Sequence, residues 1–237
     1  MRELYVALQP IVDVKRGRVF AHEALLRSHS PSFKGPVPLL QHAVRLGAMG
    51  ELGRYLRGLS SLACPSTPLF VNIHPSEFDH GFLVRPDDPI FAHDHPVYLE
   101  ITESVPLSHF ALCHSVLKEV RGKGVFLAVD DLGAGYSNLK YIADLAPEIV
   151  KLDRELIAGV TIDSRTHRLI RHIVNLCNDM GAQVVAEGVE TQGELEAVVA
   201  AGIRLVQGYL LARPAFPAPS VNVEAIRSLR AATTPPA

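Results

Sequence analysis

The chain has 237 residues and a formal net charge of −2, which gives no basic field and argues against duplex nucleic acid as a partner. Apolar residues make up 48% of the chain and charged residues 20%, which is typical of a soluble globular protein with a substantial core. The opening MRELYVALQP lacks a basic segment followed by an apolar stretch, and no run of about 18 apolar residues occurs, which predicts a cytoplasmic protein without a membrane span.

Short apolar runs rich in β-branched residues predict eight strands. In chain order they are LYVALQPIV, VFAHEALLR, LFVNI, VYLEIT, VFLAVD, IVKL, QVVAEG and LVQGYL. Segments with apolar residues at three- and four-residue spacing lie between most of these runs. They predict helical segments at about 38–62, 107–120 and 167–180.

The link between the first two runs, residues 13–18, is short enough to predict a hairpin of two antiparallel strands. The remaining runs alternate with helices, as β/α units do. The predicted fold class is therefore α/β, a (β/α)8 TIM-like barrel with one antiparallel strand in an N-terminal hairpin. We expect one barrel domain over residues 1–216, and a C-terminal helix followed by a proline-rich tail over 217–237.

Polar side chains stand at or near the ends of seven of these runs. They are Glu23, Asn72, Glu100, the pair Asp130 and Asp131, Lys151, Glu187 and Gln207. The carboxyl ends of parallel barrel strands converge on one mouth, where α/β barrels keep their chemistry. The sequence therefore predicts that five carboxylates, two amides and a lysine share one rim. Such a concentration of negative charge favours bound divalent cations.

The adjacent aspartates need a local change of direction, because neighbouring side chains on a regular strand point to opposite faces. The segment Leu132-Gly133-Ala134-Gly135 offers a turn, since its two glycines permit unusual backbone angles. We expect the strand to end there and a helix to begin near Ser137.

Oxygen ligands without a cysteine or histidine cluster favour Mg²⁺ or Mn²⁺ over zinc. Two such ions about 3.5–4 Å apart are the usual arrangement for hydrolysing phosphodiesters. A lysine beside the attacking water can orient that water, lower its pKa or accept its proton. Lys151 is the candidate, because IVKLD otherwise predicts a buried strand. A purely structural pair of Lys151 with Asp153 is the alternative.

In order and spacing, the motifs resemble those of the EAL-domain cyclic-di-GMP phosphodiesterases over residues 5–216. The matching segments are QPIVDV from Gln9, EALLR from Glu23, VNIHP from Val71, EITE from Glu100, DDLGAGYSNL from Asp130, KLDRELI from Lys151, AEGVET from Ala186 and QGYLLARP from Gln207. The resemblance implies an EAL-type barrel that hydrolyses cyclic di-GMP to linear pGpG with two Mg²⁺ or Mn²⁺ ions. Ca²⁺ is expected to inhibit.

The resemblance also implies a role for each matching residue. Glu23, Asn72, Glu100 and Asp130 would hold the first ion, and Asp130 would bridge to a second ion held with Asp131 and, directly or through water, Glu187. The implied catalytic residues are Lys151, which would contact the attacking water, Glu187 and Glu23. The implied substrate residues are Arg27, Gln207, Gln9 and Pro10. The implied supporting residues are Glu103, Asp153, Gly133 and Gly135. A homodimer and sensory or other signalling domains are the implied partners.

Three positions depart from the family pattern. Its loop commonly reads DDFGTGYSS, whereas this chain has Leu132 and Ala134, and Ser28 stands where an aromatic commonly follows the arginine of EALLR. None of these changes removes an implied ligand. Three other hypotheses stay open: a receptor that binds cyclic di-GMP without cleaving it, a catalytically silent interaction domain, and an enolase-type barrel. The hairpin and the AEGVET segment argue against the enolase-type barrel.

Overall fold

Eight strands close into a barrel in chain order in the computed structural model, which describes residues 3–78, 81–102, 110–134 and 139–233. The strands are β1 (Leu4–Asp13), β2 (Arg18–Ser28), β3 (Leu69–Asn72), β4 (Val97–Thr102), β5 (Phe126–Leu132), β6 (Ile149–Leu152), β7 (Gln183–Ala186) and β8 (Leu205–Val206). Strand β1 is antiparallel to both β2 and β8, and the other neighbouring pairs are parallel. The predicted α/β barrel with one antiparallel strand is confirmed.

Helices surround the strands. Those described are α1 (Pro36–Arg45), α2 (Met49–Ala63), α3 (Phe110–Gly122), α4 (Lys140–Leu145), α5 (Arg154–Ile157), α6 (Arg165–Asp179), α7 (Gln192–Ala200) and α8 (Val223–Thr233), with short 3₁₀ helices at Pro75–Glu77, Phe82–Val84 and Pro89–Ala92. The helical segment predicted over 38–62 is two helices, because Gly47 adopts a left-handed φ of 65° after α1. The predicted helix start near Ser137 lies outside the described residues. No helix in the described ranges is long and apolar enough to cross a bilayer.

An apolar floor fills the lower interior of the barrel. Each strand contributes one buried residue, and these are Ile11, Ala21, Phe70, Tyr98, Ala128, Ile149, Val185 and Leu205. The rings of Phe70 and Tyr98 stack with centroids 4.3 Å apart. Strand side chains alternate in direction, so the residue two positions nearer the mouth also points inward. The floor therefore determines which residues line the mouth.

Two further apolar clusters join the outer face of the barrel to the helices. One packs β3, β4 and β5 against α2 and α3, and the other packs β6, β7 and β8 against α6, α7 and α8. Helix α8 belongs to the second cluster through Ala225, Ile226 and Leu229. The C-terminal helix expected within residues 217–237 is therefore present and packs on the outer layer of the barrel.

Candidate active site

A polar ring lies directly above the apolar floor. Its members stand two positions from the floor residues toward the mouth, and they are Gln9, Glu23, Asn72, Glu100, Asp130, Lys151, Glu187 and Gln207. Glu187 and Gln207 immediately follow β7 and β8, where their backbone N–H groups donate to Leu152 O at 3.0 Å and to Ala186 O at 2.8 Å. The structure thus brings together all the strand-end side chains identified in the sequence. Most of this polar ring lines a cavity of about 480 Å³ at the mouth.

Lys151 is the positive centre of the polar ring. Its side chain is 1% exposed, and Nζ lies 2.5 Å from Glu100 Oε1, 2.6 Å from Glu187 Oε1, 3.1 Å from Asp130 Oδ1 and 3.5 Å from Glu23 Oε2. Burial alone would lower the pKa of Lys151, but the surrounding carboxylates raise it well above its usual value. Lys151 is therefore an ammonium ion in the metal-free chain. Among the described residues, its ion-pair partners are these four carboxylates and not Asp153.

The two amide side chains link neighbouring carboxylates of the ring. Asn72 Nδ2 donates to Glu23 Oε1 at 3.2 Å and to Glu100 Oε2 at 3.0 Å. Gln207 Nε2 donates to Glu23 Oε2 at 2.7 Å and to Gln9 Oε1 at 3.1 Å. Burial would raise the pKa of Glu23, but the Lys151 ammonium and these amide donors hold it below its usual value. Glu23 is thus an ionised carboxylate.

Asp130 and Asp131 both reach the cavity because the backbone changes direction at Asp131 itself. Asp131 has a φ of 59°, and the pairing of β5 with β6 shifts register between Val129 and Leu132. The sequence predicts this change of direction at residues 132–135, whereas it occurs at Asp131, within the last residues of β5. Carboxylate oxygens of Asp130, Asp131 and Glu187 lie within 4.8 Å of one another.

The residues around this turn have structural surroundings of their own. Gly133 has a φ of 109°, and a Cβ there would lie 3.3 Å from Leu156 Cβ, whereas Gly135 lies outside the described residues. Leu132 stands where the family pattern commonly has an aromatic residue. Its side chain is buried in an outer apolar cluster. Ser28 Oγ accepts a hydrogen bond from Ser30 N at the end of β2.

The donor set fits hard divalent cations. Burial, together with repulsion from neighbouring carboxylates, raises the pKa of Glu100 well above its usual value, that of Asp131 to about 6 and that of Glu187 to about 8. Gln207 Oε1 is buried without a hydrogen-bond donor among the described residues. Five carboxylates thus face one ammonium ion, and two divalent cations would cancel that formal charge.

Of the other residues implied by the family resemblance, Asp153 lines this cavity, whereas Arg27 and Pro10 do not. Arg27 donates to Leu26 O at 2.8 Å and lines a neighbouring cavity of about 340 Å³ together with Asn72. Pro10 is buried in β1, where alternation turns it away from the interior. Asp153 lines the cavity at the mouth, hereafter the acidic cavity, and caps α5 by accepting a hydrogen bond from Glu155 N at 2.7 Å. Glu103 lies outside the described residues.

Besides Gly188 and Gly208, three residues with polar or aromatic side chains line the cavity and were not identified from the sequence. Arg154 and Glu190 form an ion pair of 3.0 Å, and the Tyr209 ring lies 4.2 Å from the Arg213 guanidinium carbon. Arg154, Glu190 and Tyr209 follow the mouth ends of β6, β7 and β8 by two to four residues. The loops after barrel strands form the mouth, so the position of these three residues in the sequence could have indicated that they line the cavity.

Comparison with protein families agrees with this geometry. The model of the EAL domain matches residues 1–214. The chain belongs to the EAL domain family. It is 31% identical over 226 residues to the cyclic di-GMP phosphodiesterase PA2567 of Pseudomonas aeruginosa, covering 90% of this chain and 38% of that relative. The chain matches only part of its longer relatives: it spans 27 to 43% of the length of eight curated relatives.

Solved structures of the EAL family share the same architecture. The manganese and cy-diGMP complex of Klebsiella pneumoniae BlrP1 at pH 9.0 is 34% identical with a TM-score of 0.77, covering 90% of this chain and 56% of that chain. The c-di-GMP complex of the PaMucR phosphodiesterase is 29% identical with a TM-score of 0.78, covering 90% of this chain and 97% of that chain. The EAL barrel fold predicted from the motifs is thereby confirmed.

Proposed function

We propose that this EAL domain hydrolyses cyclic di-GMP to linear pGpG with two divalent cations. The observation that carries the proposal is the complete polar ring, in which every ligand position implied by the family holds a suitable oxygen donor. A relative named as a cyclic di-GMP phosphodiesterase and a manganese complex with the nucleotide support the same chemistry. A homodimer in the cytoplasm, joined to signalling domains, is part of this proposal and follows from the resemblance.

Six residues would hold the cations. Glu23, Asn72, Glu100 and Asp130 would take the first, and Asp130, Asp131 and Glu187 the second. Mg²⁺ or Mn²⁺ suits these donors, and when bound the ions would neutralise the phosphodiester and increase the acidity of a water. Ca²⁺ should inhibit, because it is larger and less demanding of octahedral geometry.

In the proposed reaction a water oxygen forms a bond to phosphorus while the bond from phosphorus to the ribose 3′ oxygen breaks. The 3′ oxygen gains a proton, and the product keeps a 5′ phosphate. Lys151 would orient the water by donating a hydrogen bond to it. The water proton would pass to a carboxylate oxygen or to solvent.

The nucleotide is proposed to extend beyond the acidic cavity. Asn72 lines the neighbouring cavity with Arg27, so a phosphate placed over the polar ring leaves a base within reach of that arginine. Gln9 and Gln207 would orient the substrate from the side of β1 and β8, where Gln207 joins Gln9 to Glu23.

The proposal is tested by incubating the purified chain with cyclic di-GMP and Mn²⁺ and measuring pGpG. We expect turnover in the wild type and none in Glu23→Gln, because that change replaces a charged ligand of the first ion with a neutral amide. Glu148→Gln is the matched control: Glu148 precedes β6 at the end remote from the mouth and pairs with Arg121 at 2.8 Å. Nucleotide binding without any pGpG in the wild type would support the receptor instead, and full activity in Glu23→Gln would refute the cation assignment.

A further inference from the structure

A buried cluster of three charged residues lies behind the polar ring. Arg57 of α2 donates from Nε and Nη2 to the Asp88 carboxylate at 2.8 to 3.2 Å, and from Nη1 to Glu77 Oε2. Each of the three residues is only 1% exposed. Burying an ion pair costs desolvation free energy, which only good geometry and satisfied hydrogen bonds offset. Such a cluster holds its elements in one arrangement.

The cluster is connected to a residue of the proposed first cation site. Glu77 ends the 3₁₀ helix that follows Asn72, and its Oε1 accepts a hydrogen bond from His74 N at 2.9 Å. His74 Nδ1 in turn accepts one from Ser76 N at 3.2 Å, which completes a capping box. The turn after β3 is therefore tied to α2 within a few residues of Asn72.

The surrounding chain leaves room for this connection. A Cβ at Gly53 of α2 would lie 1.9 Å from Glu77 Oε2, so no larger residue fits without displacing that carboxylate. Asn72, by contrast, is exposed, and within the described part of the chain its amide donates hydrogen bonds only to Glu23 and Glu100. Its direction depends on the backbone that carries it. A neutral amide is also the weakest ligand of the proposed set, so its preorientation matters most.

We propose that Glu77, held by Arg57, is a positioning residue that fixes Asn72 for the first cation. This inference rests on the proposed function, since it assumes that Asn72 is a cation ligand. It explains why a helix on the outer face of the barrel buries an arginine between two carboxylates. Asp88 anchors the other side of the same arginine and caps the 3₁₀ helix Pro89–Ala92 by accepting from Ile90 N.

The test compares Glu77→Ala with Asp88→Ala in the full chain. Both changes remove one carboxylate from the same buried arginine, but only Glu77 contacts the turn after Asn72. Isothermal titration with Mn²⁺ alone, without nucleotide, should show affinity about tenfold lower in Glu77→Ala, the size typical of residues that orient ligands. Asp88→Ala should lower the melting temperature comparably and keep the wild-type affinity. Equal losses of affinity in the two variants, or none in Glu77→Ala, would overturn the inference.

A second pair of variants avoids the buried charges. His74→Ala removes the acceptor of Ser76 N, whereas His74→Asn supplies a good capping side chain in its place. Burial lowers the pKa of His74, so its imidazole is neutral at pH 8 and neither variant changes the charge. We expect weaker Mn²⁺ binding in His74→Ala and recovery in His74→Asn, and equal affinities would contradict the inference. A wild-type chain that binds no Mn²⁺ would overturn the proposed function itself, and this inference with it.

Discussion

Lys151 shows how one residue depends on the whole barrel. Its run IVKLD predicts a buried strand, and a buried lysine needs partners, but the sequence leaves open whether these include Asp153. The partners are four carboxylates from β2, β4, β5 and the residue after β7. Closure of the barrel places them together, and no pattern within a single strand can reveal that set.

The first prediction concerns turnover in Lys151→Met, which keeps the buried volume and removes the ammonium ion. We expect kcat to fall by about 100-fold or more, the range for groups that act on a reacting water, while KM changes little. The measurement is pGpG formation at saturating Mn²⁺, where the cations compensate the carboxylates. A proportionate change in KM with kcat unaffected would instead give Lys151 a binding role.

Most of the polar ring could be predicted from the sequence because parallel strands end at the same mouth. Glu23, Asn72 and Glu100 each close an apolar run and lie where expected. Gln9 does not follow this rule, since β1 runs in the opposite direction and the mouth side of that strand is its beginning. Only the resemblance pointed to it. Counting two residues from Ile11 toward the mouth would have identified Gln9, but that count requires knowledge of the strand register.

At the scale of elements, the end of β5 carries the least regular backbone of the site. A left-handed conformation at Asp131 turns its side chain to the same cavity as that of Asp130, and Asp131 N donates to Asp130 Oδ1 at 3.0 Å. Aspartate and asparagine adopt this conformation more readily than other residues with a Cβ. The preference is too weak for the sequence to predict where the turn lies.

The second prediction separates this backbone requirement from the carboxylate. Asp131→Asn should be at least as stable as the wild type without metal, because it tolerates the positive φ and removes a repelled charge. Asp131→Val should lose about 1–2 kcal/mol of the free energy of unfolding, the cost of a left-handed conformation. Both should lose turnover. Denaturant unfolding of the metal-free proteins measures the first difference, and equal stabilities would contradict the backbone argument.

The outer helices show a second limit of sequence patterns. Apolar spacing over 38–62 predicts helix correctly, but the pattern continues through the break at Gly47, and only the glycine itself signals it. Arg57 lies on the buried side of α2, where a helical pattern predicts an apolar residue. Its partners Glu77 and Asp88 lie 20 and 31 residues away in the chain. Long-range pairs of this kind are set by packing and not by local spacing.

At the scale of the molecule, the barrel buries apolar side chains below the mouth and gathers negatively charged side chains at the mouth. The floor and the outer clusters are buried, while the polar ring keeps carboxylates in contact whose mutual repulsion opposes folding. The metal-free barrel therefore stores unfavourable electrostatic free energy at one place. Ions that bind only the folded chain would relieve it and stabilise the whole barrel.

The last prediction is the pH dependence of this stabilisation. The pKa values of Asp131, about 6, and Glu187, about 8, are raised in the folded chain above their usual values of 3.8 and 4.5, so folding favours the protonated groups. Their contribution to stability is complete below about pH 4 and is lost as the pH rises through 6 and 8, so the free energy of unfolding of the metal-free chain should fall over that range.

Bound cations need the ionised carboxylates, so the rise in melting temperature with saturating Mg²⁺ should be larger at pH 8 than at pH 6. Thermal melts with and without Mg²⁺ measure this difference, and the double variant Asp131→Asn with Glu187→Gln should weaken its pH dependence. A rise that is equal at both pH values in the wild type would show that these two carboxylates do not bind the cations.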